Sequence, residues 1–402
     1  MENICPQEQC TGCSACMNVC PVGAISMQPT GPLKHMHPII EQDKCIDCHL
    51  CEKTCPVNHP KELTKPIAAY AAIRSNYEDL MSSSSGGAAA AVAEAIVDQG
   101  GVVYGCVQEN YRTIQHQRID NKEELYKLKG SKYVQSDIGY IFKAVQTDLK
   151  QGIPVLFTGT PCQIAGLKAF LRKEYENLYL VDLVCHGIPS QHLLQENVES
   201  IVGPGTEAYV HFRRKGEPPI RMYGVFLSNC PEVSEKKQVF LKNDYITAFM
   251  NGLTFRENCY SCRYAGSARI SDITVADYWG IGSKSTIRTD YGVSLILQNT
   301  QKGERLINMI QNSCHIEKRD VEEAVHGNGQ LQTAHQVPIN REQFLADYAR
   351  EGAAAYSKHL KDYKRMYIRS YRHPHYGRFG LLGAILRRIP GLHALYLKIK
   401  NR

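Results

Sequence analysis

From Ile67 onward, short apolar runs alternate with longer mixed stretches. "IAAYAAIRS" (Ile67–Ser75), "VVYGCV" (Val102–Val107), "PVLFTG" (Pro154–Gly159) and "LYLVDLVCHG" (Leu178–Gly187) have the length and branched content of buried strands. Ser82–Gly101, "SSSSGGAAAAVAEAIVDQGG", reads as a Ser/Gly turn, an alanine-rich helix and a glycine pair that stops it. A helix follows each of the two central strands, the first opening at Thr160-Pro161-Cys162. A further strand leads to Asp277. Before Ile67 the apolar runs are shorter, "VGAISM" and "HPIIEQDKC", and Pro56–Pro66 reads as a linker. The pattern predicts a small N-terminal module, a mixed α/β body and a helical tail. We place the boundaries at 1–62, 63–150 and 151–350 for the two parts of the body, and 351–402.

No uncharged apolar run reaches the roughly 18 to 20 residues of a membrane span. The start, "MENICPQEQC", lacks the basic and apolar regions of a secretory signal. Sixteen cysteines then point to metal ligation or redox chemistry in a reducing compartment rather than to a disulfide scaffold. A cytoplasmic location is expected. The formal charge of +7 is unevenly spread. Ser357–Arg402 carries five lysines and seven arginines against one acid, Asp362, which leaves the rest of the chain mildly acidic. The body lacks the basic, aromatic-interleaved face of a nucleic-acid binder, so no nucleic-acid partner is expected.

Residues 10–21 read "CTGCSACMNVCP" and residues 45–56 read "CIDCHLCEKTCP". Both are C-x-x-C-x-x-C-x-x-x-C-P, the two-cluster bacterial ferredoxin spacing, in which the fourth cysteine of each run serves the other 4Fe–4S cluster. The first set is then Cys10, Cys13, Cys16 and Cys55; the second is Cys45, Cys48, Cys51 and Cys20. Zinc knuckles do not need four cysteines per run or the trailing proline, and a radical-SAM cluster needs a different order. Cys5 is left over as a non-ligand.

Other features of the body have bland and functional readings. Ser85, Gly86 and Gly87 open a helix whose free N–H groups suit phosphate, or they merely cap it. Lys132, in the turn "LKGSKYVQS", is a solvated lysine or a cation aimed at a ligand. Cys162 and Cys185 end two strands, where ligands of open α/β sheets bind. Cys259 and Cys262 form a C-x-x-C that needs two further ligands, and Cys162 and Cys185 are available. Cys162 itself has three readings: a nucleophile based by His186, a buried apolar thiol, or a ligand.

In order, "SSSSGG", "GSKYVQS", "TGTPCQIAGL", "LVCHGIPS" and "CYSCRYA" with "SDITVADYWG" resemble the coenzyme F420 hydrogenase/dehydrogenase beta-subunit family over residues 5 to 350. Its members bind FAD beside at least one 4Fe–4S cluster, and relatives include a deazaflavin-linked sulfite reductase and a plant chlorophyll-derivative reductase. The resemblance implies an iron–sulfur flavoprotein oxidoreductase acting on an organic substrate, with a ferredoxin or reduced deazaflavin as redox partner. A relay subunit without substrate chemistry of its own is the alternative. It implies that Ser85, Gly86, Gly87, Gly130, Ser131, Lys132, Tyr133, Thr158, Gly159, Thr160 and His186 line the FAD. Lys132, His186 and Asp277 become the catalytic candidates. Cys162, Cys185, Cys259 and Cys262 become ligands of a third 4Fe–4S cluster. The tail segments "GLLGAILRRI" and "LHALYLKIK" are too short to span a bilayer, but their basic amphipathic pattern suits the inner membrane surface, the body or a partner protein.

Overall fold

The computed structural model describes residues 1–216, 220–228, 236–239, 243–282 and 285–365. In the N-terminal module, β1 (Ile25–Thr30) and β2 (His35–Ile40) pair antiparallel with Ile25 opposite Ile40. Two one-turn helices, α1 (Ala15–Val19) and α2 (Leu50–Thr54), each carry the third cysteine of a run. The duplication extends to the backbone. Gly12 and Ser14 have φ of 66° and 62°, and their counterparts Asp47 and His49 have 55° and 58°. Left-handed non-glycine residues are unfavourable and persist only where surroundings impose them. Both cysteine runs therefore curl in the same way around a centre.

The body is built on an eight-stranded sheet of order β13-β3-β12-β11-β7-β6-β4-β5. These strands are β3 (Ala68–Arg74), β4 (Val102–Asn110), β5 (Thr113–Ile119), β6 (Val155–Gly159), β7 (Leu178–Leu183), β11 (Ile273–Asp277), β12 (Ser294–Gln298) and β13 (Cys314–Arg319). Strands β4, β6, β7 and β11 run parallel, whereas β5, β12 and β13 are antiparallel to their neighbours. The period of two sorts the side chains by face. Val102, Tyr104, Val155, Phe157, Leu178 and Leu180 pack under α5 (Ile141–Lys150) and α6 (Pro161–Leu171). Val103, Leu156 and Val181 pack on the opposite face against α4 (Ala88–Asp98) and the helix Gln301–Met309. Both parts expected of the body, before and after residue 150, contribute strands to this one sheet.

A smaller antiparallel sheet, β8 (Tyr209–Gly216), β9 (Ile220–Ser228) and β10 (Lys236–Val239), was not foreseen from the sequence. It shares a core with the helices Gln191–Val202, Asp244–Met250 and Arg341–Glu351. The start of the basic tail joins this core: Tyr356 and Leu360 are buried in it, and Lys364 pairs with Asp244 at 2.5 Å. Both apolar tail segments, between residues 380 and 400, lie outside the described residues. No helix of the described residues is long and apolar enough to cross a membrane.

The direction of the parallel strands decides where the chemistry gathers. The carboxyl ends of β3, β6, β7 and β11 share one edge of the sheet, so Thr160, Cys185 and Asp277 emerge together there. Helix α6 starts at this edge with a capping box from Thr160 and Gln163 and a proline in its first turn.

Candidate functional site

Cys10, Cys13, Cys16 and Cys55 converge, each within electrostatic reach of the others, and all four are buried. Cys20 instead joins the other run, interacting with Cys51 and lining one cavity with Cys45, Cys48 and Cys51. The fourth cysteine of each run thus crosses to the opposite set. Backbone amides face the sulfurs, including Ala24 N–H to Cys20 Sγ at 3.3 Å. Cys5 lies closer than the sequence suggests, next to both Cys10 and Cys55. The neighbouring Cys5 thiol lowers both Cys10 and Cys55 below the ordinary thiol value. Burial pushes Cys13 up to about 12. The two sets differ in exposure. The first is enclosed, whereas Cys48 of the second is exposed and Ile46 beside it is 61% exposed.

A third set forms in the body. Cys162 lies in the first turn of α6, Cys185 follows β7, Cys259 lies within the turn Glu257–Ser261 and Cys262 ends it; all four interact with one another. Burial raises Cys162 to about 12 and Cys185 to about 11. These thiols are therefore not poised as free thiolates. The base that a nucleophilic Cys162 would need is also committed elsewhere. His186 contacts Gln330 Nε2 through Nδ1 at 2.9 Å and Met250 O through Nε2 at 3.3 Å, with its ring edge-on to Phe249 and Phe255. Among the described residues no three His, Cys, Asp or Glu side chains are arranged to hold a metal ion. Four-thiol sets of this kind suit the larger cube.

The first and third sets are neighbours. Helix α1 packs on α6, and Gly166 of α6 sits directly against the Cys13 side chain. Arg256 and Tyr264 interact with thiols of both sets. Gln135 fastens the seam by donating to the carbonyls of Thr11 and Gly12 at 3.5 and 3.4 Å. Sequence reasoning missed Arg256, Tyr264 and Gln135. The only available signal for Arg256 was a cation three residues before Cys259.

The residues named for FAD divide into separate groups. Ser131 N–H donates to Ser84 Oγ at 2.7 Å, so the turn Gly130–Ser131 lies beside the loop Ser83–Gly87. Ser85 Oγ donates to Val293 O, and Lys215 Nζ donates to Leu80 O and Ser85 O at 2.6 Å. Gly86 is needed for packing, because a Cβ there would lie 2.1 Å from Ala72 O. Gly87 opens α4 with φ of 88° beside the buried Arg74, whose Nη2 pairs with Asp79 and Glu94 while its Nε and Nη1 have no partner. Orphaned guanidinium donors at a helix N-terminus suit a phosphate. Lys132 is not a solvated turn residue: Nζ donates to the carbonyls of Lys127, Leu128 and Lys129, and burial lowers its pKa. Tyr133 stacks on Phe249 in the smaller core, 5.1 Å between ring centroids. Thr158 O meets His116 Nε2 at 2.9 Å, Gly159 approaches Gln163, and Thr160 Oγ1 lies 3.2 Å from Cys162 Sγ. Asp277 makes a two-pronged ion pair with Arg213 at 2.8 and 3.0 Å. The structure therefore keeps the loop at Ser83–Gly87 with Gly130–Ser131, while Tyr133 and His186 pack among aromatic side chains.

Comparison with known proteins adds two matches. Residues 9–59 match the 4Fe-4S dicluster domain, and residues 154–324 match the C terminus of the coenzyme F420 hydrogenase/dehydrogenase beta subunit. All eight module cysteines fall in the first segment, and Cys162, Cys185, Cys259 and Cys262 fall in the second. "SSSSGG" and "GSKYVQS" lie in neither. A chain of the F420-reducing NiFe hydrogenase complex from Methanosarcina barkeri, in a xenon-derivatised structure, is similar at 17% identity. The similarity covers 75% of this chain and 93% of that one, with a TM-score of 0.45. No curated protein matches.

Proposed function

Because the chain joins a 4Fe-4S dicluster domain to an F420 hydrogenase/dehydrogenase beta-subunit region, we propose that it is an iron–sulfur flavoprotein oxidoreductase acting on an organic substrate. Clusters pass single electrons and FAD exchanges one or two, which is the chemistry these groups supply when bound. Residues 1–62 form the dicluster module, 63–350 the catalytic body, and 351–402 the tail. In the module, Cys10, Cys13, Cys16 and Cys55 hold one cube, and Cys45, Cys48, Cys51 and Cys20 the other. In the body, Cys162, Cys185, Cys259 and Cys262 hold a third. Arg74, the Ser85–Gly87 loop and Gly130–Ser131 bind the FAD phosphates, and the half-buried Lys132 places positive charge nearby.

The observation that carries this reading is the seam between module and body. Cys13 touches the helix whose first turn holds Cys162, and Arg256 and Tyr264 face thiols on both sides. The set around the exposed Cys48 is open to a redox partner such as a ferredoxin or reduced deazaflavin. A second reading is favoured by the description of the matched region as a beta subunit: the chain relays electrons to a partner enzyme that holds the substrate.

Anaerobically reconstituted full-length protein, reduced chemically and screened against organic acceptors, separates the two. Turnover of a small molecule by the isolated chain supports the enzyme. Rapid exchange with reduced ferredoxin or reduced coenzyme F420 and no turnover of any acceptor would leave only the relay.

A further inference from the structure

Arg256 occupies an unusual position for a charged residue. It is 1% exposed, yet none of the ion pairs among the described residues includes it. Nη1 meets His37 Nε2 at 3.0 Å, Nη2 donates to Met36 O, and Nε has no partner. His37 and the nearby His35 are held neutral, His37 at about 4, by burial first and by Arg256 second. Neither supplies a counter-charge. The module backbone closes on the guanidinium so tightly that a Cβ on Gly12 would lie 2.6 Å from Nη2. Thiols face it with the capacity for negative charge: Cys10 and Cys13 from the module, Cys162 and Cys259 from the body. An unpaired buried charge costs several kcal/mol, so a cation in such a place needs an anion close by. A cube held by four thiolates is an anion, and each added electron makes it more so.

We propose that Arg256 is the shared counter-charge of the cubes held by the first and third thiol sets, raising the reduction potential of both above that of the exposed set. This rests on the proposed ligand sets. Arg256 is a tuning residue and does not itself carry electrons. Burial matters to the effect, because net charge and solvent exposure near a cluster are among the main levers on its potential, and a charge screened by water would move it little. The set around Cys48, which is exposed to solvent, serves as an internal reference.

The test is an EPR-monitored redox titration of reconstituted full-length wild-type protein, Arg256→Met and Arg256→Lys. In Arg256→Met the two inner cubes should become harder to reduce by roughly tenfold, about 59 mV for a one-electron couple. Unit charges roughly 10 Å apart at an effective dielectric near 20 give an energy of that order. The Cys48 cube should not move, and Arg256→Lys should stay near wild type. Equal shifts in the Met and Lys variants, or an inner potential unmoved in Arg256→Met, would overturn the proposal. If Arg256→Met fails to load its inner cubes, loading of Arg256→Lys supports a charge role, and failure of both shows that shape alone matters. A wild-type iron content of two cubes would remove the third ligand set. The shift of the Cys10 cube would still decide the role of Arg256.

Discussion

Gly166 of α6 lies against Cys13 of the N-terminal module: a Cβ on Gly166 would be 2.9 Å from both Cβ and Sγ of Cys13, and 3.3 Å from the Phe142 ring. Helix interiors ordinarily disfavour glycine by roughly 0.5–1 kcal/mol relative to alanine, so its presence here marks a close approach. Neither Cys13 nor the Phe142 ring, both buried, can move aside cheaply. Gly166→Ala should therefore destabilise the seat of the module by about 1–3 kcal/mol, as overpacking does. Stopped-flow reduction should show slower electron arrival in the body while the module keeps its iron. An unchanged rate would mean that this contact does not set the distance between the two thiol sets.

Iron analysis decides the third set. Reconstituted protein should hold about 12 iron and 12 labile sulfide per chain, from three cubes of four irons. Cys162→Ser should lose one cube, and Cys5→Ser none, because Cys5 lies outside the doubled four-cysteine spacing. Saturation near 8 in the wild type would return Cys162 to the role of a buried thiol.

Flavin should be released from denatured protein as FAD rather than FMN. Arg74→Met, which removes the orphaned donors beside Gly87, should weaken FAD retention by roughly tenfold or more, the scale of a charged hydrogen bond. Its iron content should be unchanged. A colourless supernatant from fully loaded wild-type protein would end the flavin assignment.

Asp277 offers a sharp contrast between catalytic and structural roles. Its carboxylate and the Arg213 guanidinium are 15% and 8% exposed. Removing the carboxylate from such a largely enclosed pair deletes two charge-assisted hydrogen bonds and costs about 1.5–3 kcal/mol. Asp277→Asn should then lower the melting temperature markedly as well as activity. A variant of normal stability with lost turnover would instead place Asp277 in proton transfer.

Acid should destabilise the fold through its buried histidines. His116 stacks on Phe157, meets Ser136 Oγ through Nδ1 at 3.0 Å, and is lowered to about 4 by burial. The unfolded chain, with an ordinary imidazole near 6.5, binds the proton that the folded state refuses. Stability is therefore full above pH 6.5 and falls as the pH drops towards 4. In His116→Gln the melting temperature should depend less steeply on pH across that window. An identical slope would mean that His116 does not contribute.

The parts of this architecture that depend on local spacing were legible before any tertiary contact was known. Three cysteines within seven residues, followed by Cys-Pro, must curl around a common centre, and Gly12, Ser14, Asp47 and His49 show both copies doing so. The strands at residues 68–74, 102–110, 155–159 and 178–183 and the helix after Gly87 were equally legible, because periodicity and caps are short-range signals. What only the tertiary structure decided lies in contacts between distant segments. Strand β12 enters antiparallel between β11 and β3, and β8–β10 form a second sheet, because strand pairing depends on partners far along the chain. Lys132 turned inward onto three carbonyls, and Cys5 reached Cys10 and Cys55. Arg256 acquired its place between two thiol sets only when the module docked on α6. A side chain's charge is written in the sequence, but its solvent and its neighbours are set by packing, and these decide what the charge does.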